Sequence, residues 1–237
     1  MTIICVDISK YQKGFNFATF KQSGGLGVIM KATESTSIKD SSYPTFRPQA
    51  LAQGLKVATY HFFRSSDPAG QANYYLAYAK PDLGERVVCD WEDDKCSPDM
   101  VVTFLKTIQQ ARPDLQLTVY SGHIAKEKLG SSKNQWLADN TSLWVCQYTS
   151  ASSPSWPTAT WAQWSLWQYT DQTPAPGFSG PVDQNRFNGP DANFLAWMGP
   201  ASAPAPSPEP PIEGRPIITI SSDAPVQIRL GANVTVA

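Results

Sequence analysis

Arg86-Val87-Val88-Cys89-Asp90-Trp91-Glu92-Asp93-Asp94 carries the strongest local signal in this chain. It begins as a short apolar run, the pattern of a strand buried on both faces, and ends in acids where that strand surfaces. Residues i and i+2 of a strand share a face, roughly 6–7 Å apart along the backbone. Asp90 and Glu92 therefore point one way, and Trp91 points the other way into whatever packs behind. Two carboxyls converging at a strand end can serve a glycosidase, one donating a proton and one stabilising charge. The same acids would suit a solvated loop or a cation site, so the remaining segments have to decide.

Those segments alternate. Strand patterns occur at 3–6, 27–32, 56–63, 115–120, 143–148, 165–169 and 182–185, in addition to the acidic strand. Helical turns are predicted at 17–22 and 44–53, the latter stopped by Gly54. Asp67-Pro68 and Ser97-Pro98 each place a capping side chain before a proline at the first helical position. The second of these helices sets Val101, Phe104, Leu105 and Ile108 on one face. A last helix spans 191–197, while 150–157 is loop material where another helix would be expected. Eight strands interleaved with fewer than eight helices predict an irregular TIM-like (β/α) barrel of the α/β class, with a parallel sheet.

In such barrels the active site lies at the rim where the strands end. Asp7, Glu34, Asp90, Glu92 and Asp183 all fall at or just beyond strand C-termini. Tyr60, Tyr148, Trp167 and Tyr169 occupy equivalent places, with Lys31 beside them. Aromatic rings stack on the apolar faces of sugars while carboxylates bind hydroxyls, so the expected site is a saccharide groove. Where several carboxylates share one cleft, the least solvated holds its proton to higher pH.

Composition narrows the alternatives. The 237 residues carry a net charge of -1 with only 16% charged side chains, which excludes the clustered basic surface that nucleic acid requires. No apolar run is long enough to insert in a membrane. The opening Met1-Thr-Ile-Ile-Cys-Val-Asp7 has no signal-peptide pattern, so synthesis in the cytoplasm is expected. Four scattered cysteines and two histidines, with no C-x-x-C pair, predict neither a metal site nor a cofactor. Free thiols are the expected state, with a Cys89–Cys96 disulfide left open.

Six ordered motifs carry a resemblance to a known family. They are Asp7-Ile8-Ser9-Lys10-Tyr11-Gln12, Lys31-Ala32-Thr33-Glu34, Tyr60-His61-Phe62, Asp90-Trp91-Glu92, Trp167-Gln168-Tyr169-Thr170 and Val182-Asp183-Gln184-Asn185-Arg186-Phe187. In this order they resemble glycoside hydrolase family 25, the Chalaropsis-type lysozymes common among phage endolysins. The resemblance spans about residues 1–197. It implies cleavage of the β-1,4 bond after N-acetylmuramic acid in the glycan strands of peptidoglycan, with retention of configuration at the anomeric carbon. It also implies Glu92 as general acid/base, Asp90 as its partner, and Asp7 and Asp183 completing an acidic floor. Tyr60 and Tyr148 would flank the reacting sugar. Ser35 stands where the family often has Gly, Arg47 near a frequent Asn, and Cys146 in place of a small residue, which bears on substrate fit. His61 is expected to be a wall of the cleft rather than a base.

The lysozyme-like domain is assigned to 1–198. A proline-rich linker follows at 199–216, and then a short β-prone tail at 217–237. Two or three short strands are too few to be stable alone, so the tail suits wall binding or self-association, with a disordered end as the alternative. A lysozyme made without a signal peptide would reach the cell wall with a holin-type partner or by release on lysis. Two other readings compete: a peptidoglycan-binding module without turnover, and a chitinase-like hydrolase with a similar acid pair. The complete set of Asp7, Asp90, Glu92 and Asp183 argues against the first, and the Asp7 and Asp183 motifs argue against the second.

Overall fold

A computed structural model describes residues 3–156 and 159–200. The expectations for the tail at 217–237, and for the linker from 201 onward, lie outside the described residues.

The elements run β1 (Cys5–Ile8), a 3₁₀ turn (Lys10–Gln12), α1 (Phe17–Gln22), β2 (Gly27–Glu34), β3 (Ile38–Lys39), α2 (Tyr43–Ala52), β4 (Lys56–Phe62), α3 (Pro68–Ala79) and β5 (Arg86–Asp90). They continue with α4 (Pro98–Ala111), β6 (Gln116–Ser121), α5 (His123–Leu129), α6 (Gln135–Asn140), β7 (Ser142–Cys146), β8 (Leu166–Thr170), β9 (Asp183–Phe187) and α7 (Asp191–Trp197). Strands β2, β4, β5, β6, β7 and β8 pair in parallel, and β1 closes the barrel by pairing in parallel with β2. β3 only extends the end of β2 as a two-residue hairpin partner.

One expectation is corrected. The sheet is not wholly parallel, because β9 runs antiparallel to both β8 and β1. No helix lies between β8 and β9, and without a crossover the chain must return in the opposite direction. The helix predicted to be missing between the sixth and seventh barrel strands is indeed absent from the described residues between β7 and β8.

Local sequence explains the helix starts. Ser97 Oγ accepts from the backbone N–H of Met100, and Asp67 Oδ1 accepts from that of Gly70, each followed by proline. Side-chain alternation then builds two apolar layers. Outside the barrel, Val87, Cys89 and Trp91 pack with Val101, Phe104, Leu105 and Ile108 of α4. Inside, Ile29, Ala58, Val88, Tyr120, Trp144 and Leu166 pack together, and Phe194 and Met198 join them from α7. Each such large side chain, once buried, contributes roughly 1.5–3 kcal/mol. Gly27, at the start of β2, has no Cβ to meet Phe194 and Met198, whose atoms lie 3.0 Å from where one would stand. Arg86, at the start of β5, donates to the Trp197 carbonyl at 2.6 Å and stacks on its ring at 4.0 Å. α7 therefore plugs the end where the parallel strands begin. The opposite end stays open.

Candidate active site

At that open end residues from eight strands converge on a cleft of about 450 Å³. Asp7 comes from β1, Lys31 from β2, Tyr60 and Phe62 from β4, and Asp90 from β5 with Glu92 just beyond. Tyr120, Trp144, Gln168 and Asp183 are supplied by β6 to β9. A larger hollow of about 810 Å³ lies between the α1 region and α2, but no carboxylate lines it. The chemistry belongs to the smaller cleft.

The four acids differ in solvation. Asp7 and Asp90 are only 5% and 6% exposed, Asp183 is half-buried and Glu92 is exposed. Asp7 accepts from Gln168 Nε2 at 3.2 and 3.1 Å and from Asn185 Nδ2 at 2.8 Å. Burial nevertheless pushes its carboxyl up to about 6, the hydrogen bonds from Asn185, Gln168 and Asp183 restraining the rise. Asp183 is pushed up to about 9 by burial and by the charge of Asp7. Asp90 is raised well above the usual carboxylate range by burial, then by Glu92, with Lys31 opposing. Asp90 Oδ1 is buried without a hydrogen-bond partner. A buried acceptor with nothing to accept from is costly in a protein interior, and it marks a position where a bound molecule can donate.

Gln168 ties the floor to the rim. Its Oε1 accepts from the hydroxyls of Tyr120 and Tyr148, each at 2.8 Å, while its Nε2 donates to Asp7. The Cys146 thiol lies 3.3 Å from the same oxygen. Tyr148 remains 51% exposed at the mouth, and Tyr11 is 77% exposed at another edge. Tyr11 rides on the 3₁₀ turn after β1, which Ser9 and Gln12 fix by a reciprocal capping box.

The structure brings Asp7, Asp90, Glu92, Asp183, Tyr60, Tyr148 and Lys31 together around this cleft. Three other expected residues stand elsewhere. Trp167 and Tyr169 alternate with Gln168 and face outward. The Trp167 indole donates to the Gln147 carbonyl, and the Tyr169 hydroxyl donates to Gln184 under the Arg186 guanidinium. Glu34 turns to Lys31 at 2.7 Å and Arg64 at 2.7 Å, and despite partial burial these bonds hold it below the usual carboxylate range. His61 is fully buried between β4 and the helices rather than in the cleft wall, bonded to Thr33 and Gln71 and stacked 4.9 Å from Phe104. Burial pulls its pKa down to about 4, so it is neutral at pH 7.

Sequence reasoning missed Gln168, Asn185, Tyr120, Phe62 and Tyr11. The parity of β8 was the available signal: with Leu166 inside, Gln168 must also be inside. All four cysteines are free thiols, including Cys89 and Cys96. Among the described residues, no group of three His, Cys, Asp or Glu side chains is arranged to hold a metal ion. Arg47 lies far from the cleft, paired with Glu85 ahead of β5. Ser35 adopts φ +53°, the left-handed conformation that glycine takes without steric cost.

Three comparisons bear on this geometry. The sequence profile of the glycosyl hydrolases family 25 matches residues 6–178. Lysozyme M1 of Streptomyces globisporus is 27% identical over 207 residues, covering 81% of this chain and 69% of its own. The autolytic lysozyme of Clostridium acetobutylicum is 28% identical over 196 residues, 77% of this chain but 55% of its own, so the match spans about half of that relative. The crystal structure of a bacterial lysozyme from Streptomyces coelicolor superposes with a TM-score of 0.72 at 25% identity, covering 81% of this chain and 95% of that one.

Proposed function

The chain belongs to glycosyl hydrolase family 25, and accordingly we propose that it is a lysozyme acting on peptidoglycan. In this proposal it is a muramidase, cleaving the β-1,4 bond between N-acetylmuramic acid and N-acetylglucosamine with retention. The observation that carries the reading is the graded solvation of four carboxyls in one cleft: two buried, one half-buried and one exposed.

Glu92, at the exposed position, gives its proton to the glycosidic oxygen. The bond from the anomeric carbon to that oxygen breaks, and its electron pair leaves with the N-acetylglucosamine hydroxyl. Positive charge develops on the ring that remains, and the acids beneath it stabilise that charge electrostatically. Either Asp90 or the substrate's own acetamido oxygen captures the anomeric carbon. Water then attacks, returns a proton to Glu92, and restores the original configuration. Tyr60, Tyr148 and Lys31 hold the sugar over the floor, and Gln168 and Asn185 hold Asp7.

Digestion of purified peptidoglycan by wild type and by Glu92→Gln, with mass spectrometry of the fragments, tests the proposal. Wild type releases fragments with reducing-end N-acetylmuramic acid, and the variant loses about 100-fold or more of that activity. A wild type that binds the wall and releases nothing is instead a binding module. Inverted anomers in the product would defeat both routes to retention.

A further inference from the structure

Apart from the acidic cleft, the hollow of about 810 Å³ between the α1 region and α2 has no part in the chemistry. We infer that it binds the acidic peptide joined to the lactyl group of N-acetylmuramic acid, so that the enzyme reads peptide as well as glycan. The inference rests on the function proposed above and adds a second recognition site to it.

Charge points to this occupant. Lys10 and Lys13 line the hollow and are exposed, and neither makes a salt bridge among the described residues. Asp40 is buried, accepts from the backbone N–H groups of Lys10 and Ser42, and does not line the hollow. Two cations with no acid between them favour an anionic ligand. The acidic cleft beside them repels one.

Shape and polarity agree. Phe15, Phe17 and Phe46 form a buried floor, with Phe17 centred 5.1 Å from Phe15 and 5.5 Å from Phe46. Along one wall α2 presents Thr45 and Gln49 at i, i+4 spacing. Asn16 Oδ1 accepts from the Thr19 N–H, which leaves the Asn16 amide NH₂ to donate to a ligand. An apolar floor, amide partners and two cations suit a short peptide of small side chains and free carboxylates.

The hollow is also within reach of the reacting sugar. The 3₁₀ turn Lys10–Gln12 forms the wall between the two sites, with Tyr11 and Gln12 lining the cleft and Lys10 lining the hollow. Three residues of 3₁₀ helix rise about 6 Å, and an extended peptide gains about 3.3–3.6 Å per residue. Two or three peptide residues therefore cross from one site to the other.

The test compares glycan strands that carry the peptide with the same strands after an amidase has removed it. Wild type is expected to cleave the peptide-bearing strands with a kcat/KM about tenfold higher, and to lose most of that preference in about 1 M salt. Lys10→Glu combined with Lys13→Glu reverses the charge of the hollow. This variant is expected to bring the ratio near one while cleaving bare strands within about twofold of wild type. Lys10→Arg combined with Lys13→Arg keeps the charge and should keep the preference. A general loss of folding lowers both rates together, so the ratio isolates the hollow. A wild-type preference below about twofold overturns the inference, and so does a preference that survives charge reversal. If wild type releases no reducing-end N-acetylmuramic acid from either substrate, the proposed function fails and this inference falls with it. Equal cleavage of both substrates removes only the inference.

Discussion

Asp7 on β1 and Asp183 on β9 stand directly opposite one another across an antiparallel pair. The parallel strands of a barrel would not offer this partner; the reversed last strand does. Asp183 reaches the same floor as Asp7 because β9 enters the barrel from the open end.

That juxtaposition gives a pH dependence of stability with a definite sign. Both carboxyls have folded pKa values above those of the unfolded chain, about 6 for Asp7 and about 9 for Asp183. Their contribution is fully present below the unfolded value near 4 and is lost as pH rises through the folded values. Between pH 6 and 9 Asp183 alone should cost up to about 1.4 kcal/mol per pH unit. Asp183→Asn should flatten this decline, as read by urea unfolding at pH 5, 7 and 9. Parallel curves for variant and wild type would mean that the pair holds no extra proton.

Asp90 presents a conflict between stability and function. Burial and the neighbouring Glu92 disfavour its ionised form, and Oδ1 has no partner. Asp90→Asn keeps the shape and removes the charge, so it should raise stability by about 1 kcal/mol at pH 7. Its activity on peptidoglycan should fall by at least about 100-fold. Thermal unfolding and turnover measured on the same preparation check both parts. A variant that loses stability would show that the ionised carboxylate is a structural element of the floor.

Gln168 should act through Asp7 and Tyr148. Gln168→Leu removes the Nε2 donation to Asp7 and the acceptor for the Tyr120 and Tyr148 hydroxyls. Leaving those groups unsatisfied should cost about 2–3 kcal/mol. The ionisation midpoint of Asp7, followed by carbon NMR of labelled aspartate, should move above about 6, because a donor to the charged form is lost. An unmoved midpoint would limit Gln168 to packing.

Much of this site was legible in the sequence because strand ends and carboxylates leave local marks. Asp7, Asp90, Glu92 and Asp183 each terminate or begin a strand-like run, and the i, i+2 spacing of Asp90 and Glu92 puts them on one face without any tertiary information. The misplacements arose where parity competed with residue type. Trp167 and Tyr169 look like sugar platforms, yet Leu166 and Gln168 take the inner face of β8, and a one-residue change of parity reverses every side chain. Glu34 lies at a strand end but finds Lys31 and Arg64. The direction of β9 had no local signal at all, since a short strand has the same alternation read either way.

Arg47 provides the last test, at the other end of the barrel. Its two terminal nitrogens grip both oxygens of Glu85, at 2.9 and 2.6 Å, and one also reaches Asp82 at 2.9 Å. The Glu85 side chain is only 3% exposed, so truncating Arg47 would strand a buried carboxylate ahead of β5. Removing one partner of such a pair costs about 3–5 kcal/mol, whereas replacing both with apolar groups is often neutral. Arg47→Ala should therefore unfold at much lower urea, and the double variant Arg47→Met with Glu85→Leu should recover most of the loss. Glu85 precedes β5 and Asp90 ends it, so kcat on peptidoglycan should stay near wild type wherever the protein is folded. A fall in kcat for the folded double variant would mean that this end of β5 positions Asp90. In that case the departure at Arg47 would bear on catalysis after all.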